Sequence, residues 1–416
     1  MKVLLLCASL LCLAAAYKSY DGYRVYRTID LDASMAGKIG SLMHRPEFDF
    51  WTMPRAGRPL DIMVSAEHAS ELESALEKLG LSPKVHLENV GQYVQRERME
   101  IEALRKKENA LGRAPSFDRY LNFDEILAYI AEIETLYPDI VSVQDIGTSI
   151  EGRPLRVVKL SNGPGKKAIW FDSVLHAREW IGPPTALFAI NELTENLANG
   201  NNQALLDAND WYFLLVANPD GFVYAWENDR FWRKNRNQND GALCKGVDLN
   251  RNFDYSWIAQ GSTCSETYSG TAPNSEVEVQ AISTFLSSTP GITAYVAVHS
   301  YGQYLLYPYG DTTVEAPTVD ELARVANEAT AALTAIGDTP YVVGSTYDAL
   351  YEALGISVDW AYDKAGIPLA YTIELRGGGS GFDPPASLIV ESNVETWEAY
   401  KVIAANLPTA RRTKAN

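Results

Sequence analysis

The run Ala168-Ile-Trp-Phe-Asp-Ser-Val174 is the feature that most constrains this chain. A short, mainly apolar run without alternation reads as a strand buried on both faces, and such strands belong to α/β sheets covered by helices. The run stops at Leu175-His-Ala-Arg-Glu-Trp-Ile-Gly182. Pro183-Pro184 and residues 185–193 then read as a helix with proline in its first turn. His176 and Glu179 therefore sit at a strand-to-helix junction, the carboxyl end of a strand, where ligands of open α/β sheets bind. An imidazole and a carboxylate at that place are half of a metal site, although a His–Glu hydrogen bond at a helix start would explain the pair by itself.

The pattern recurs along the chain. Residues 140–146, 155–160, 211–218, 292–299 and 369–375 read as further strands, and Pro219-Asp-Gly221 reads as a turn. Asn122 with Glu125 makes a capping-box start for a helix carrying Ile126, Ile130 and Ile133 and ending at Pro138. Helices are also expected near 274–287, 319–335 and 393–406. Residues 114–416 are thus one α/β domain, a mostly parallel mixed sheet with helices on both faces. Residues 17–113 precede it as a small α/β open sandwich. Strands are expected at 23–29, 59–65 and 85–90, with a helix on Leu72, Ala75, Leu76 and Leu79 that Gly80 stops. Residues 91–113, dotted with Arg96, Arg98, Arg105, Lys106, Lys107 and Arg113, read as a connecting helix ending in an exposed loop, a natural site for proteolytic nicking.

The N-terminus has one basic residue, a short apolar run and then Ala14-Ala-Ala16. It reads as a secretory signal peptide, 1–16, too short for a membrane span. Cys7 and Cys12 leave with it. Cys244 and Cys264 remain in a chain bound for an oxidising compartment and read as a disulfide, with a free buried pair as the alternative. A net charge of −17 argues against nucleic acid and against an anionic membrane surface as partners.

Of five histidines, only His176 and His299 lie beyond residue 113, and His299 also ends an apolar run. With Glu179 they make a sound three-ligand set for zinc. Glu374 ends another run, and Arg233, Asn250 and Arg251 lie in polar loops; a guanidinium beside an amide suits a carboxylate. No third histidine in this part is free to serve as the base of a serine or cysteine hydrolase. A non-catalytic binding protein on the same fold would have lost a ligand or the base.

His176-x-x-Glu179, Trp232-Arg-Lys234, Asp248-x-Asn-Arg-Asn252, His299-Ser-Tyr301 and Glu374-Leu-Arg376 occur in this order and spacing. In these motifs, and over nearly its whole length, the chain resembles the pancreatic-type zinc metallocarboxypeptidases in their proenzyme form. The resemblance implies one zinc ion held by His176, Glu179 and His299, Glu374 as the base, and Arg233 as the group that holds the oxyanion. It implies Asn250, Arg251 and Tyr351 as the clamp for a C-terminal carboxylate. Arg178, Ser300, Tyr301 and Phe382 would line the sites for preceding residues, and Cys244–Cys264 would match the family's disulfide. Val358 would form the floor of the specificity pocket, with Thr346, Leu350, Ala353 and Thr372 around it. That composition selects apolar or aromatic C-terminal residues, whereas the neighbouring Asp359 would select basic ones. Residues 17–113 would be an activation propeptide covering the cleft. A trypsin-like protease would release it by cutting after Arg113, with Arg105 and Lys107 as alternative cuts. The partners implied are peptide and protein substrates, that protease and protein inhibitors. The setting implied is extracellular digestion, as in a gut lumen, by a monomer. Two departures flank the pocket: the chain is one residue longer than the family pattern before Pro368 and one shorter at 377–381.

Overall fold

The computed structural model describes residues 17–28, 31–111, 117–378, 381–382 and 384–411; the expected signal peptide and Arg113 lie outside them. The first unit contains β1 (Arg24–Thr28), α1 (Ala33–Ile39), β2 (Phe48–Phe50), β3 (Leu60–Val64), α2 (Ala69–Lys78) and β4 (Lys84–Leu87). Its strands pair antiparallel in the order β2-β3-β1-β4. Alternation along the strands gives the sheet two apolar faces. Tyr26, Ile62 and Val64 pack beneath Leu72 and Leu76 of α2. Val25 and Met63 face the other way and join Trp51 against Phe231 and Phe382 of the larger domain. The open side of this sandwich is thus its docking face. The helix α3 (Val90–Leu111) then leads to the second unit.

The second unit opens with α4 (Phe123–Leu136). Its start is the expected capping box: the Asn122 Oδ1 accepts the Glu125 N–H and the Glu125 Oε2 accepts the Asn122 N–H, both at 2.9 Å. There follow β5 (Val141–Thr148), β6 (Pro154–Leu160), β7 (Lys167–Ser173), α5 (Gly182–Glu192), α6 (Asn202–Ala208), β8 (Asn209–Leu214) and α7 (Pro219–Glu227). The chain continues through α8 (Val277–Ser288), β9 (Ile292–Ser300), β10 (Tyr304–Tyr307), α9 (Val319–Gly337), β11 (Val342–Ser345), α10 (Ser357–Asp363), β12 (Leu369–Leu375) and α11 (Ala386–Ala405). The eight-stranded sheet has the order β11-β10-β12-β9-β7-β8-β6-β5. Its middle, β12-β9-β7-β8, is parallel; β6 and β5 continue it antiparallel, and β10 turns back against β12. Every residue of β9 is buried, so both faces are covered at the centre. Helices α5, α9 and α11 pack together as one layer.

Two local expectations differ from the structure, and three short strands carried none. Pro219-Asp-Gly221 starts α7 instead of closing a turn, because the Asn218 Oδ1 accepts the Gly221 N–H at 3.0 Å and proline fits a first turn. Helix α11 begins at Ala386, upstream of 393. The strands β2, β10 and β11 are three or four residues long, too short for a periodicity to register. Cys244 and Cys264 are joined, with their Cα atoms 4.9 Å apart. Among the described residues no helix is long and apolar enough to cross a membrane.

Candidate active site

Three adjacent parallel strands deliver the central groups to one rim. β9 lies between β7 and β12, and His299 and Glu374 are paired across β9 and β12. Beyond β7, Val174 turns the chain with a φ of 59°, a left-handed conformation that a β-branched residue rarely adopts. Gly182 then lets α5 lie against β7, since a Cβ there would stand 2.7 Å from that of Ser173. His176 and Glu179 sit on the intervening turn. The Glu179 carboxylate spans both imidazoles, with Oε1 2.7 Å from the His176 Nδ1 and Oε2 2.9 Å from the His299 Nδ1. One ligand atom from each of the three buried side chains lies within 4.8 Å of the others. Behind them, the Asp248 Oδ1 meets the His176 Nε2 at 3.1 Å, and its Oδ2 accepts the Arg233 Nη2–H at 2.9 Å. Asp248 belongs to a motif singled out in the sequence, but its orienting position had no signal there.

The charges are set by burial and by one another. Burial and the Arg233 guanidinium hold the His176 imidazole below its ordinary pKa. Burial would raise the Glu179 carboxyl, but His176 and His299 outweigh it and keep the group far down. Asp248, also buried, is held well below its usual range by Arg233 and His176. Burial pushes Glu374 up to about 8, with the Glu179 charge adding to the effect and His299 and Arg233 opposing it. A neutral imidazole, an ionised carboxylate and a second imidazole converging on one point, with a carboxylate behind His176, fit zinc in both the ligand set and its support.

A cavity of about 270 Å³ opens beside this cluster. It is lined by His176, Arg178, Glu179, Arg233, Asn250, Arg251, Ser300, Tyr301, Tyr351, Glu374 and Phe382, which brings these expected site residues together. His299 is not among the lining residues and stands behind Glu179, which it contacts at 2.9 Å. At one end the Arg251 Nη2–H donates to the Tyr351 hydroxyl at 2.9 Å, and the Asn250 Oδ1 accepts the Ser357 N–H at 2.9 Å. Leu306, Thr346, Leu350, Ala353, Ile356 and Thr372 form an apolar recess there. The expected floor residue, Val358, is not among the lining residues. It is buried in the first turn of α10, and Ile356, just before the helix, occupies the wall instead.

The first unit roofs the cavity with Phe50, Trp51, Met53, Arg55, Arg58 and Asp61. The Asp49 carboxylate accepts from the Arg178 Nη1 at 2.9 and 3.0 Å, and Asp61 accepts the Tyr301 hydroxyl at 3.1 Å. Asp61 is itself held by Arg27, with two contacts of 2.6 Å. Trp51 lies against Phe382 and Phe231, with centroids 5.4 and 4.9 Å apart. On α3, Glu97 makes a buried two-contact pair with Arg230 at 2.6 and 2.8 Å. Sequence reasoning named none of these roofing contacts, because they join residues far apart in the chain.

Residues 126–399 match the family model described as zinc carboxypeptidase, and residues 33–97 match that of the carboxypeptidase activation peptide. The chain belongs to the zinc carboxypeptidases. It is a metallocarboxypeptidase with an activation peptide, and zinc is the family's cofactor. It is 37% identical to carboxypeptidase A1 of Mus musculus over 412 residues, 97% of this chain and 98% of that one. Carboxypeptidase A from Helicoverpa armigera superposes with a TM-score of 0.87 at 31% identity, covering 94% of this chain and 99% of that one. Bovine thrombin-activatable fibrinolysis inhibitor, in complex with tick carboxypeptidase inhibitor, superposes with a TM-score of 0.66 at 39% identity, covering 70% and 97%.

Proposed function

We propose that this zinc carboxypeptidase is made as a secreted, monomeric proenzyme and, once cut, hydrolyses the last peptide bond of peptides and proteins with apolar or aromatic C-terminal residues. The observation that carries the reading is one cleft lined by three parts: the metal-competent cluster, the trio Arg251, Asn250 and Tyr351, and a mainly apolar recess. Zinc held by His176, Glu179 and His299 supplies a Lewis acid and lowers the pKa of water. Arg251 and Asn250 take the substrate's terminal carboxylate, and the Tyr351 hydroxyl adds a third donor. Glu374 accepts a proton from the attacking water and passes it to the leaving nitrogen. Arg233, fixed by Asp248, donates to the carbonyl oxygen as negative charge grows on it. An internal peptide bond brings no carboxylate and would leave Arg251, 3% exposed, without a counter-charge.

Preference for apolar over basic residues is supported by Asp359. Burial raises its carboxyl well above the ordinary range, and its Oδ2 is taken by the Gly310 N–H at 2.8 Å, so it offers no free charge to a substrate cation. The cut of this reading is after Arg113, in the basic stretch that joins the two units. Of the alternatives, Arg105 is tied within α3 to Glu102 at 2.6 Å and across to Glu125 at 2.9 Å. Residues 17–113 and 114–416 are the propeptide and enzyme units of this reading. A trypsin-like protease is the activator, and protein inhibitors of the kind bound to the bovine relative are partners. An extracellular digestive setting such as a gut lumen is part of the same proposal, supported by the expected signal peptide and the matched activation peptide.

The test is release of C-terminal Phe, Leu, Lys and Glu from matched blocked dipeptides, before and after brief trypsin treatment, with and without a zinc chelator. Chelator-sensitive release of Phe or Leu after a cut near Arg113 is expected. No release by cut, zinc-loaded protein would refute the reading.

A further inference from the structure

The specificity recess has an occupant that its sequence neighbourhood does not advertise. Ile356 lies one residue before α10 and its backbone is fixed on both sides. The Gly355 carbonyl accepts the Phe253 N–H at 3.0 Å, and the Ser357 N–H donates to the Asn250 Oδ1 at 2.9 Å. Gly355 itself stands at a φ of 66°, its Cβ position filled by the Arg251 backbone, so no side-chain-bearing residue replaces it without strain. The segment is therefore anchored to the same Asn250–Arg251 strip that forms the carboxylate clamp.

From this anchor the Ile356 side chain joins the lining of the recess. Its Cδ1 is wedged against Gly310, beside the lining residues Ala353 and Thr346: a Cβ placed on Gly310 would meet the Ile356 Cδ1 at 2.7 Å, the Ala353 carbonyl oxygen at 2.8 Å and the Thr346 Cγ2 at 3.3 Å. Isoleucine, branched at Cβ, has little rotamer freedom with which to swing aside. Both residues are buried, Ile356 at 3% and Val358 at 1% exposed, but only Ile356 lines the cavity.

We infer that Ile356, rather than Val358, sets the depth of the specificity recess, and that the enzyme selects aliphatic C-terminal residues such as Leu and Val over the aromatic rings of Phe and Trp. The inference rests on the carboxypeptidase reading and narrows its substrate class. A pocket closed by a rigid aliphatic wall accepts a branched chain that packs against it. A longer planar ring must displace the wall or leave its own carboxylate short of Arg251. Steric differences of a methylene in an apolar pocket discriminate by about 10–200-fold.

The experiment measures kcat/KM of the trypsin-cut, zinc-loaded full chain on blocked dipeptides ending in Val, Leu, Phe and Trp. Three variants are compared with it: Ile356→Ala, Ile356→Val and Val358→Ala. The unaltered protein should favour Leu over Phe by at least about 10-fold. Ile356→Ala should raise the Phe-to-Leu ratio by a similar factor, mainly through KM, with Ile356→Val in between and Val358→Ala leaving the ratio in place. Retained Leu release shows that each variant is folded. Phe favoured by the unaltered protein, or a ratio that follows Val358→Ala and not the Ile356 variants, overturns the inference while the carboxypeptidase reading stands. No release of any residue by any form removes that reading, and the inference with it.

Discussion

The buried pair between Glu97 on α3 and Arg230 offers a direct measure of how firmly the propeptide holds after it is cut. Both side chains are buried, 6% and 1% exposed. Replacing Glu97 by Gln leaves the Arg230 charge enclosed without its counter-ion. Truncating one member of a hydrogen-bonded charge pair at an interface costs about 2–5 kcal/mol. Arg230 keeps two other acceptors, the Arg178 carbonyl at 2.8 Å and the Phe382 carbonyl at 2.7 Å, so the lower half of that range applies. A loss of about 3 kcal/mol is roughly a 100-fold weaker hold. The assay is serial dilution of the trypsin-cut chain, followed by activity on a small substrate at each concentration. The midpoint at which activity per molecule appears reports dissociation of the cut propeptide. For Glu97→Gln that midpoint should move to about 100-fold higher protein concentration. Because the pair is buried, 0.5 M salt should shift it little. Midpoints that coincide within threefold would show that the pair adds nothing net to docking.

Three further outcomes are expected. Removing zinc with a chelator should abolish release and lower the melting temperature, and both should return with added zinc, since a ligand bound only by the folded state stabilises it. Glu374→Gln should lower kcat by about 10²–10⁴-fold while zinc content, measured by elemental analysis, stays at one per chain. Glu278, fully buried beside Asn235, has its carboxyl pushed up to about 7 by burial. The unfolded chain gives up that proton near 4.5, so this group's contribution to stability is present below that pH and is lost as pH rises through 7. Glu278→Gln should remove up to about 3 kcal/mol of that slope, read from urea midpoints at pH 5 and pH 8; parallel midpoints in both proteins would refute it.

The parts of the site that the sequence displays best are those fixed by strand geometry. His299 and Glu374 each end an apolar run and His176 follows a third within a turn, and ligands of such sheets bind outside the carboxyl ends of the strands, so their convergence is readable from three separate runs. The α4 start was readable because a capping box is local. What depends on side-chain direction was not. Val358 and Ile356 are two residues apart and both apolar, and only the turn at Gly355 decides which one meets the cavity. Asp49 carries no signal in the sequence and Asp61 lies in an expected strand; only the docking of the two units makes them partners of Arg178 and Tyr301. Pro219-Asp-Gly221 has the composition of a turn, and its helix is set by Asn218 one residue earlier. The propeptide's second apolar face, with Val25 and Met63, is also invisible to strand patterning alone, since alternation marks a sheet with one wet side and here both sides are dry.

Asp248 has no vacant oxygen: one steadies His176 and the other steadies Arg233. A single carboxylate thereby yokes the wall that grips the metal to the arm that greets the substrate. Any repositioning of one is passed to the other through a side chain that is not among those lining the cavity. The two cannot be tuned separately, so variation among enzymes built this way is channelled outward, into the recess and the roof, where a residue such as Ile356 can change what is accepted without disturbing how it is cut.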